Sequence, residues 1–394
     1  MSTRRERWTA ITAARKNGTY KPPAPPCHNC QAAPYTPAEL AAAAARRAKL
    51  AAPGIPRRIV LTNYQGLGDQ VCLTAAVRDL HLAHPGKFLT DLRVSCGQIW
   101  EHNPYVTHFA EPWIEDVARK CRDTGRIIER EGVLFLPATY AITELHHFVQ
   151  DYHRTLGAAL GAEIPCTAMK GDVHVHPDET RWTSQPRQMG VHQPFWLMVT
   201  GGKFDFTAKW PNPFTLAKVA EWFYDRGTVV IQAGGAGDWQ PAIPNTVNLV
   251  GQTDLRMLLR LVHHAQGVIC PVTGIMHLAA ALAKPCVVLA GGREPTHWEA
   301  YPTHRYLSMQ GALSCCSPTC CDRARCTVVG DGDEKDLPGN LCAHFNEYDA
   351  PKAPQSDRMF KKIRVAKCLD MISAEDVIRA VQSFYIGGVL SWPK

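Results

Sequence analysis

Residues 266–301, QGVICPVTGIMHLAAALAKPCVVLAGGREPTHWEAY, read as strand, tight turn, helix and strand ending in a glycine-rich corner, and this order decides the fold. Gly267 to Cys270 is a short apolar run that Pro271 to Gly274 interrupts. Ile275 to Ala283 is alanine-rich and stops before Pro285, which predicts a helix, and Cys286 to Ala290 predicts the next buried strand. Such a turn sets the backbone N–H groups of Thr273, Gly274 and the first helical residues at the positive end of a helix, where a diphosphate can be held. His277 is expected to point from the first helical turn toward the same crevice.

Outward from this stretch, short apolar strands keep alternating with helices. Arg57 to Thr62 predicts a strand and Asp69 to Ala83 a helix, joined by a loop in which Gly66 and Gly68 allow a sharp turn and close approach to a ligand. Asp69 follows those glycines, either as a carboxylate facing a cleft or as a cap of the helix. FWLMVTGG, residues 195–202, opens a second α/β unit, and VVIQA, residues 229–233, leads into Gly234, Gly235, Ala236, Gly237 and Asp238. That glycine loop is expected to line a nucleoside pocket, or to serve turn geometry alone. The organisation predicted is an extension over residues 1–54, a first Rossmann-like domain over 55–185 and a second over 186–385 that includes a cysteine-rich insertion at 313–370. The alternation predicts parallel sheets, and two such units face one another with their strand C-termini across a cleft.

Four segments carry a family resemblance. Thr273, Gly274, His277 and Leu278 to Ala281, followed by Pro285 and an apolar strand, resemble the TGxxHLAAA segment of glycosyltransferase family 9, the ADP-heptose:lipopolysaccharide heptosyltransferases and relatives. Asn63 to Thr74, NYQGLGDQVCLT, is similar to the family's GxGD loop. Lys209, Trp210 and Pro211 resemble its KxWP region, and Leu249 to Thr253 before LRMLLRLVHHAQ resemble its GxTsLxEL helix. The matches run in family order from about residue 57 to 385. The resemblance implies a GT-B-like α/β fold and an inverting glycosyltransferase that takes a nucleotide-diphosphate sugar, ADP-linked by preference. It implies Asp69 as the base for an acceptor hydroxyl, with no catalytic divalent metal. Gly66, Gly68, Lys209, Gly234, Gly235, Asp238, Thr273, Gly274, His277 and Glu294 then become the donor-binding residues. In relatives the final helices pack back across both domains, an expectation for residues 371–385.

Two departures bear on the substrate. Heptose-type members carry an acidic residue immediately before the Thr-Gly, and this chain has Val272, so Glu294 in the following GGREP is the candidate replacement carboxylate. The family lysine sits one residue further from the Trp, where this chain has Ala208; Lys209 is the nearest cation and Lys203 the substitute. Arg293 is a second candidate for neutralising phosphate, or a partner of Glu294.

Composition bounds the rest. At 394 residues with 45% apolar side chains the chain can fill two cores. Residues 1–58 hold eleven Lys/Arg and two Asp/Glu, a net +9, so the other 336 residues sum to 7 − 9 = −2. The basic character belongs to the extension, in which Thr36, Pro37 and Glu39 predict the start of a capped alanine-rich helix that Pro53 and Gly54 end. No apolar run approaches the roughly 20 residues needed to span a bilayer. The expectation is a cytoplasmic protein, with a glycan, protein or DNA acceptor and a homo-oligomer among its partners. The alternative is a metal-containing nucleic-acid-binding protein that grips phosphates with this basic arm.

Fifteen cysteines in a long chain of this kind suggest metal ligation rather than disulfides. Cys72, Cys96, Cys121, Cys166, Cys270 and Cys286 lie in apolar segments and read as small buried hydrophobes. Cys27 and Cys30 form one pair, and Cys315, Cys316, Cys320, Cys321, Cys326, Cys342 and Cys368 gather near the C-terminus. Four thiolates there are expected to hold a structural zinc or iron, with Cys316, Cys321, Cys342 and Cys368 favoured and Cys326 close behind. The iron-bearing branch of the family has a tail similar in kind.

Overall fold

The computed structural model describes residues 54–140, 146–181, 185–188, 190–316, 321, 323–356 and 358–392, together with Ala38. The expected alanine-rich helix (Ala38 apart), the Cys27 and Cys30 pair, and Cys320 lie outside the described residues.

The first lobe runs β1 (Arg57–Asn63), α1 (Leu67–Ala83), β2 (Phe88–Val94), α2 (Ile114–Thr124), β3 (Ile128–Arg130), β4 (Val133–Pro137) and α3 (Phe148–Leu160). Its sheet has the order β2-β1-β4-β3. β1 is covered on both faces, which is why it reads as a continuous apolar run. Ile59 and Leu61 pack with α1 and α3, while the alternate Val60 packs with Ile114, Val117 and Cys121 of α2. β1 pairs in parallel with β2 and β4, as predicted, but β3 is antiparallel to β4. The exception has a local cause. Glu131 and Gly132 between the two strands have φ of 50° and 75°, the two left-handed residues that a tight hairpin turn requires.

The second lobe contains β5 (Phe195–Met198), α4 (Pro213–Tyr224), β6 (Val229–Gln232), β7 (Val247–Asn248), α5 (Leu255–His264), β8 (Gly267–Pro271), α6 (Gly274–Ala281), β9 (Cys286–Gly291) and β10 (His304–Ser308). These strands form one sheet of order β10-β9-β8-β5-β6-β7, with every pairing parallel. From β5 the chain winds outward through β6 and β7, then returns to the other side of β5 at β8. The order therefore reverses between β5 and β8, the place where open α/β sheets bind ligands beyond their strand C-termini.

An antiparallel pair, β11 (Phe345–Asp349) and β12 (Lys362–Ala366), and the last helix α7 (Ala374–Ile386) complete the described chain. Ser373 and Asp376 form a capping box at its start. α7 does not follow the expectation of packing back across both lobes. It lies on α4 and β9 of the second lobe, where Trp196 Nε1 donates to Tyr385 Oη at 2.8 Å.

The lobes meet along α1 and α6. Leu259, Leu278, Ala281 and Trp298 of the second lobe join the first lobe's core. Behind the cleft, Arg256 of α5 donates to Glu179 Oε1 at 2.7 Å and to the His174 carbonyl at 2.9 Å, which ties α5 to the connecting segment. Among the described residues no helix is long and apolar enough to cross a membrane.

Candidate active site

A cavity of about 420 Å³ opens between the lobes at the β5/β8 reversal, and Asp69 and all ten donor-binding candidates line it, whereas Ala236 and Gly237 of the glycine loop do not. The two glycine corners meet at its floor. A Cβ on Gly68 would lie 2.6 Å from His277 Cδ2 and 3.3 Å from Gly274 Cα, and one on Gly274 would lie 2.7 Å from Leu67 Cβ. Only residues without side chains permit so close an approach of α1 and α6.

Asp69 stands on the first lobe's wall. α1 begins at Leu67, two residues before the expected start, with Gly66 as its N-cap and Asp69 in the N3 position. Asp69 is therefore not the cap itself. Its Oδ2 accepts the Gly66 N–H at 2.8 Å, as the reciprocal half of a capping box. Its Oδ1 accepts the Tyr140 hydroxyl at 2.8 Å.

The second lobe's wall is dense in charge. Lys209 Nζ lies 2.6 Å from Glu294 Oε1, and Arg293 pairs with the same oxygen. Burial works against the Glu294 anion, but Lys209 and Arg293 more than offset it and hold its pKa below the usual range. Glu294 is thus kept ionised between two cations, and with Glu299 paired to His277 this corner keeps a surplus positive charge. The Phe206 ring lies near both cations, 5.4 Å from Lys209 Nζ and 5.5 Å from the Arg293 guanidinium carbon. Val272 occupies the family's acidic position as a buried apolar side chain. At the other end of the cavity burial raises the Asp238 pKa, tempered by Lys203.

His277 lines the cavity, yet its ring nitrogens already have partners. Nδ1 is 2.7 Å from Tyr301 Oη and 3.5 Å from Cys72 Sγ, and Nε2 is 3.2 Å from Glu299 Oε2. Burial opposes a charge on His277, but the Cys72 thiol and Glu299 carboxylate outweigh it and raise its pKa well above the histidine norm. Burial and the nearby Glu294 raise that of Glu299. Sequence reasoning missed Tyr140, Glu299 and Tyr301, which belong to none of the four family-like segments. The one available hint for Glu299 was a carboxylate within five residues of Glu294 on the same corner.

The glycine loop after β6 serves turn geometry and cavity lining together. A Cβ on Gly234 would lie 2.6 Å from Gln240 Cδ, and Gln240 Oε1 accepts the Thr200 N–H and hydroxyl, both at 3.1 Å. Trp239 stacks on Trp210 at 4.3 Å beneath this end.

The C-terminal cysteines collect behind the Gly291–Glu294 corner. A Cβ on Gly292 would meet Cys316 Sγ at 2.6 Å and one on Gly291 would meet Cys368 Sγ at 3.2 Å, while Cys321 N–H donates to the Arg293 carbonyl at 3.1 Å. Cys326 and Cys342 are hydrogen-bonded thiols, an interaction that brings Cys342 down to about 7. Four thiolates about 2.3 Å from one ion stand within roughly 4 Å of each other. Among the described residues the only trio with ligand atoms within 4.8 Å of one another is Asp79, His153 and Cys166. Among the described residues no three of these thiols have their sulfurs that close, while Cys368 interacts electrostatically with Cys316, Cys321 and Cys342. In the trio, Asp79 already receives Arg78, Thr167 and, at 2.7 Å, His153.

Two nucleotide-type lobes thus close on one cleft with a carboxylate on one wall and a cationic corner on the other. The family model described as glycosyltransferase family 9 (heptosyltransferase) matches residues 119–320, more than half of the 394. The chain belongs to this family. Lipopolysaccharide heptosyltransferase 2 of Escherichia coli (strain K12) is 26% identical over 144 residues, 34% of this chain and 41% of that protein. Lipooligosaccharide heptosyltransferase 2 of Haemophilus influenzae is 31% identical over 108 residues, 25% of this chain and 31% of that protein. The chain thus spans less than half the length of these relatives. Among solved structures, E. coli ADP-heptose lps heptosyltransferase II superposes with a TM-score of 0.55 at 15% identity, covering 84% of this chain and all of that one. The iron-containing dodecameric glycosyltransferase TibC of enterotoxigenic E. coli gives 0.52 at 15% identity, with 84% and 77% covered. These likenesses establish the GT-B-like fold.

Proposed function

We propose that this chain is an inverting glycosyltransferase that moves a sugar, heptose or a relative, from an ADP-linked donor to a hydroxyl of a glycan, protein or nucleic-acid acceptor. The contact between the Gly68 and Gly274 corners carries the reading, because it sets a carboxylate and a cationic corner on opposite walls of one cavity. Asp69 takes the proton of the acceptor hydroxyl as that oxygen attacks the anomeric carbon. The α6 N-terminus at Thr273 and Gly274 receives the departing diphosphate. A helix end contributes on the order of 0.3 to 2 kcal/mol, so the surplus charge of Lys209 and Arg293 around Glu294 supplies the rest. His277 acts through its surroundings, since its nitrogens hold Glu299 and Tyr301. The donors in the names of the relatives, ADP-heptose in the E. coli case, support the choice of nucleotide and sugar. Cytoplasmic location goes with this reading, and the nucleic-acid-binding alternative rests on residues 1–54, almost all outside the described residues.

Thermal shift with ADP, UDP and GDP, followed by release of nucleoside diphosphate from the corresponding sugars, tests the proposal. A ligand at 100 times its dissociation constant stabilises by about 2.7 kcal/mol. ADP is expected to give the largest shift, and failure of all three to bind or turn over would overturn the enzyme reading. Metal analysis of the full chain tests the zinc or iron separately. One bound equivalent that is lost in Cys342→Ser would support the thiolate site, and a metal-free folded chain would remove it.

A further inference from the structure

A base must be aimed as well as present, and the group in position to aim Asp69 is Tyr140. Its hydroxyl donates to Asp69 Oδ1 at 2.8 Å, and both residues line the cavity. The Gly66 N–H holds the other oxygen at 2.8 Å. Donors on two different oxygens fix the plane of the carboxylate. Each oxygen has two lone pairs, so Oδ1 retains one for an incoming hydroxyl.

The phenol is itself fixed. The Tyr140 ring packs against Phe148 and Tyr152, with centroids 4.7 and 5.0 Å away. The backbone leading to it is held through its carbonyls: Asn63 Nδ2 donates to Ala138 O at 2.8 Å and Thr155 Oγ1 to Thr139 O at 2.9 Å. Burial and the adjacent Asp69 carboxylate raise the Tyr140 pKa well above the phenol norm. The hydroxyl therefore stays a donor across the working range of an enzyme. A phenylalanine would satisfy the ring contacts equally well, so packing alone does not call for the oxygen.

We propose that Tyr140 is a positioning residue for the transfer, its O–H holding the Asp69 carboxylate so that the free lone pair of Oδ1 faces the acceptor hydroxyl. This rests on the reading of Asp69 as the base. In the step itself the acceptor proton passes to Asp69, the acceptor oxygen bonds the anomeric carbon, and the bond from that carbon to the diphosphate oxygen breaks with its electron pair leaving on the diphosphate. Tyr140 keeps its own proton throughout.

The test uses the full chain, with ADP-D-beta-D-heptose as donor, water as acceptor and released ADP as the readout. Tyr140→Phe is expected to lower kcat about 10- to 100-fold, the scale set by a misplaced catalytic group. Its dissociation constant for ADP should stay within twofold, which also shows that the cleft is folded. Asp69→Asn should cost more, and Tyr140→Phe added to Asp69→Asn should cost nothing further, because a residue acting only through another is not additive with it. A kcat within twofold of the parent in Tyr140→Phe, with Asp69→Asn impaired, overturns the role of Tyr140 alone. A further tenfold loss in the double variant does the same. Undiminished turnover in Asp69→Asn removes the base reading and Tyr140 with it, and a parent chain that releases no ADP overturns the choice of donor on which both rest.

Discussion

The first lobe brings to the cleft one carboxylate, Asp69, held by neutral donors from Gly66 and Tyr140, whereas the second brings Lys209, Arg293, Glu294 and Glu299 together on one corner. The first lobe has strong charges too, but it keeps Arg78, Asp79 and His153 in a network none of whose members lines the cavity. The contrast matches what each wall is asked to do. A base needs a fixed direction and access to its own lone pair. A diphosphate needs charge that is already desolvated and in place.

Asp69→Asn is the sharpest way to separate the walls. Loss of a general base costs typically 10²- to 10⁴-fold in rate, and the asparagine still fills the N3 position of α1. Turnover should fall by that order while ADP binding, measured by calorimetry, holds within twofold. Equal losses in rate and in ADP affinity would merge the two walls into one binding surface.

Gly68→Ala strikes where the walls touch. The new methyl would stand 2.6 Å from His277 Cδ2 and 3.0 Å from its Nε2, and His277 is locked by Glu299 and Tyr301. Overpacking of this kind costs typically 1–3 kcal/mol. Gly237→Ala, on the glycine loop of the second lobe, is the control, because its Cβ would meet nothing within 4 Å. Denaturant unfolding should show the first loss and no change beyond about 0.5 kcal/mol for the second.

Lys209→Ala tests the charged wall in the opposite sense to Asp69→Asn. It leaves Arg293 alone against the buried Glu294 and removes the surplus cation. ADP affinity should fall about 10- to 100-fold, or roughly 1.4 to 2.7 kcal/mol, with a smaller effect on turnover at saturating donor. Unchanged ADP affinity would move the diphosphate away from this corner.

Backbone chemistry was legible in the sequence and partnership was not. Residues 266–301 gave strand, helix and strand because proline, glycine and an alanine run each constrain the backbone locally, and β8, α6 and β9 fall where that reading placed them. The helix ends two residues before Ala283, which has a φ of 54°. Gly66, Gly68, Thr273 and Gly274 were readable for the same reason. Lys209 and Glu294 were recognised one at a time, but that they pair at 2.6 Å depends on the distance between two loops 85 positions apart. Tyr140 was invisible because a tyrosine after a strand carries no local signature, and only the closeness of β4 to β1 gives it Asp69. The cysteines show the converse. Their clustering along the chain was plain, and Cys316, Cys321, Cys342 and Cys368 are electrostatic neighbours in the fold, but which sulfurs could share one ion depends on the geometry of several loops rather than on spacing.

The last effect is read only as a slope against pH and concerns His304, on β10. It is buried, neither ring nitrogen has a hydrogen-bond partner, and Tyr301 lies beside it with centroids 5.2 Å apart. Burial and the positive charge of His277 lower its pKa to about 3. The unfolded chain takes up a proton at this residue near pH 6.5, so as pH falls below that value the unfolded state binds more protons than the folded one. Stability from this group is fully present above about pH 6.5 and is lost as pH falls toward 3, at about 1.4 kcal/mol per pH unit. His304→Phe removes the titration without removing any hydrogen bond of the ring. Unfolding measured between pH 7 and 4 should then show a shallower decline by about that slope. If the two slopes coincide, His304 is protonated in the folded state as well, and the positive charge assigned to the His277 cluster must be smaller than its partners imply.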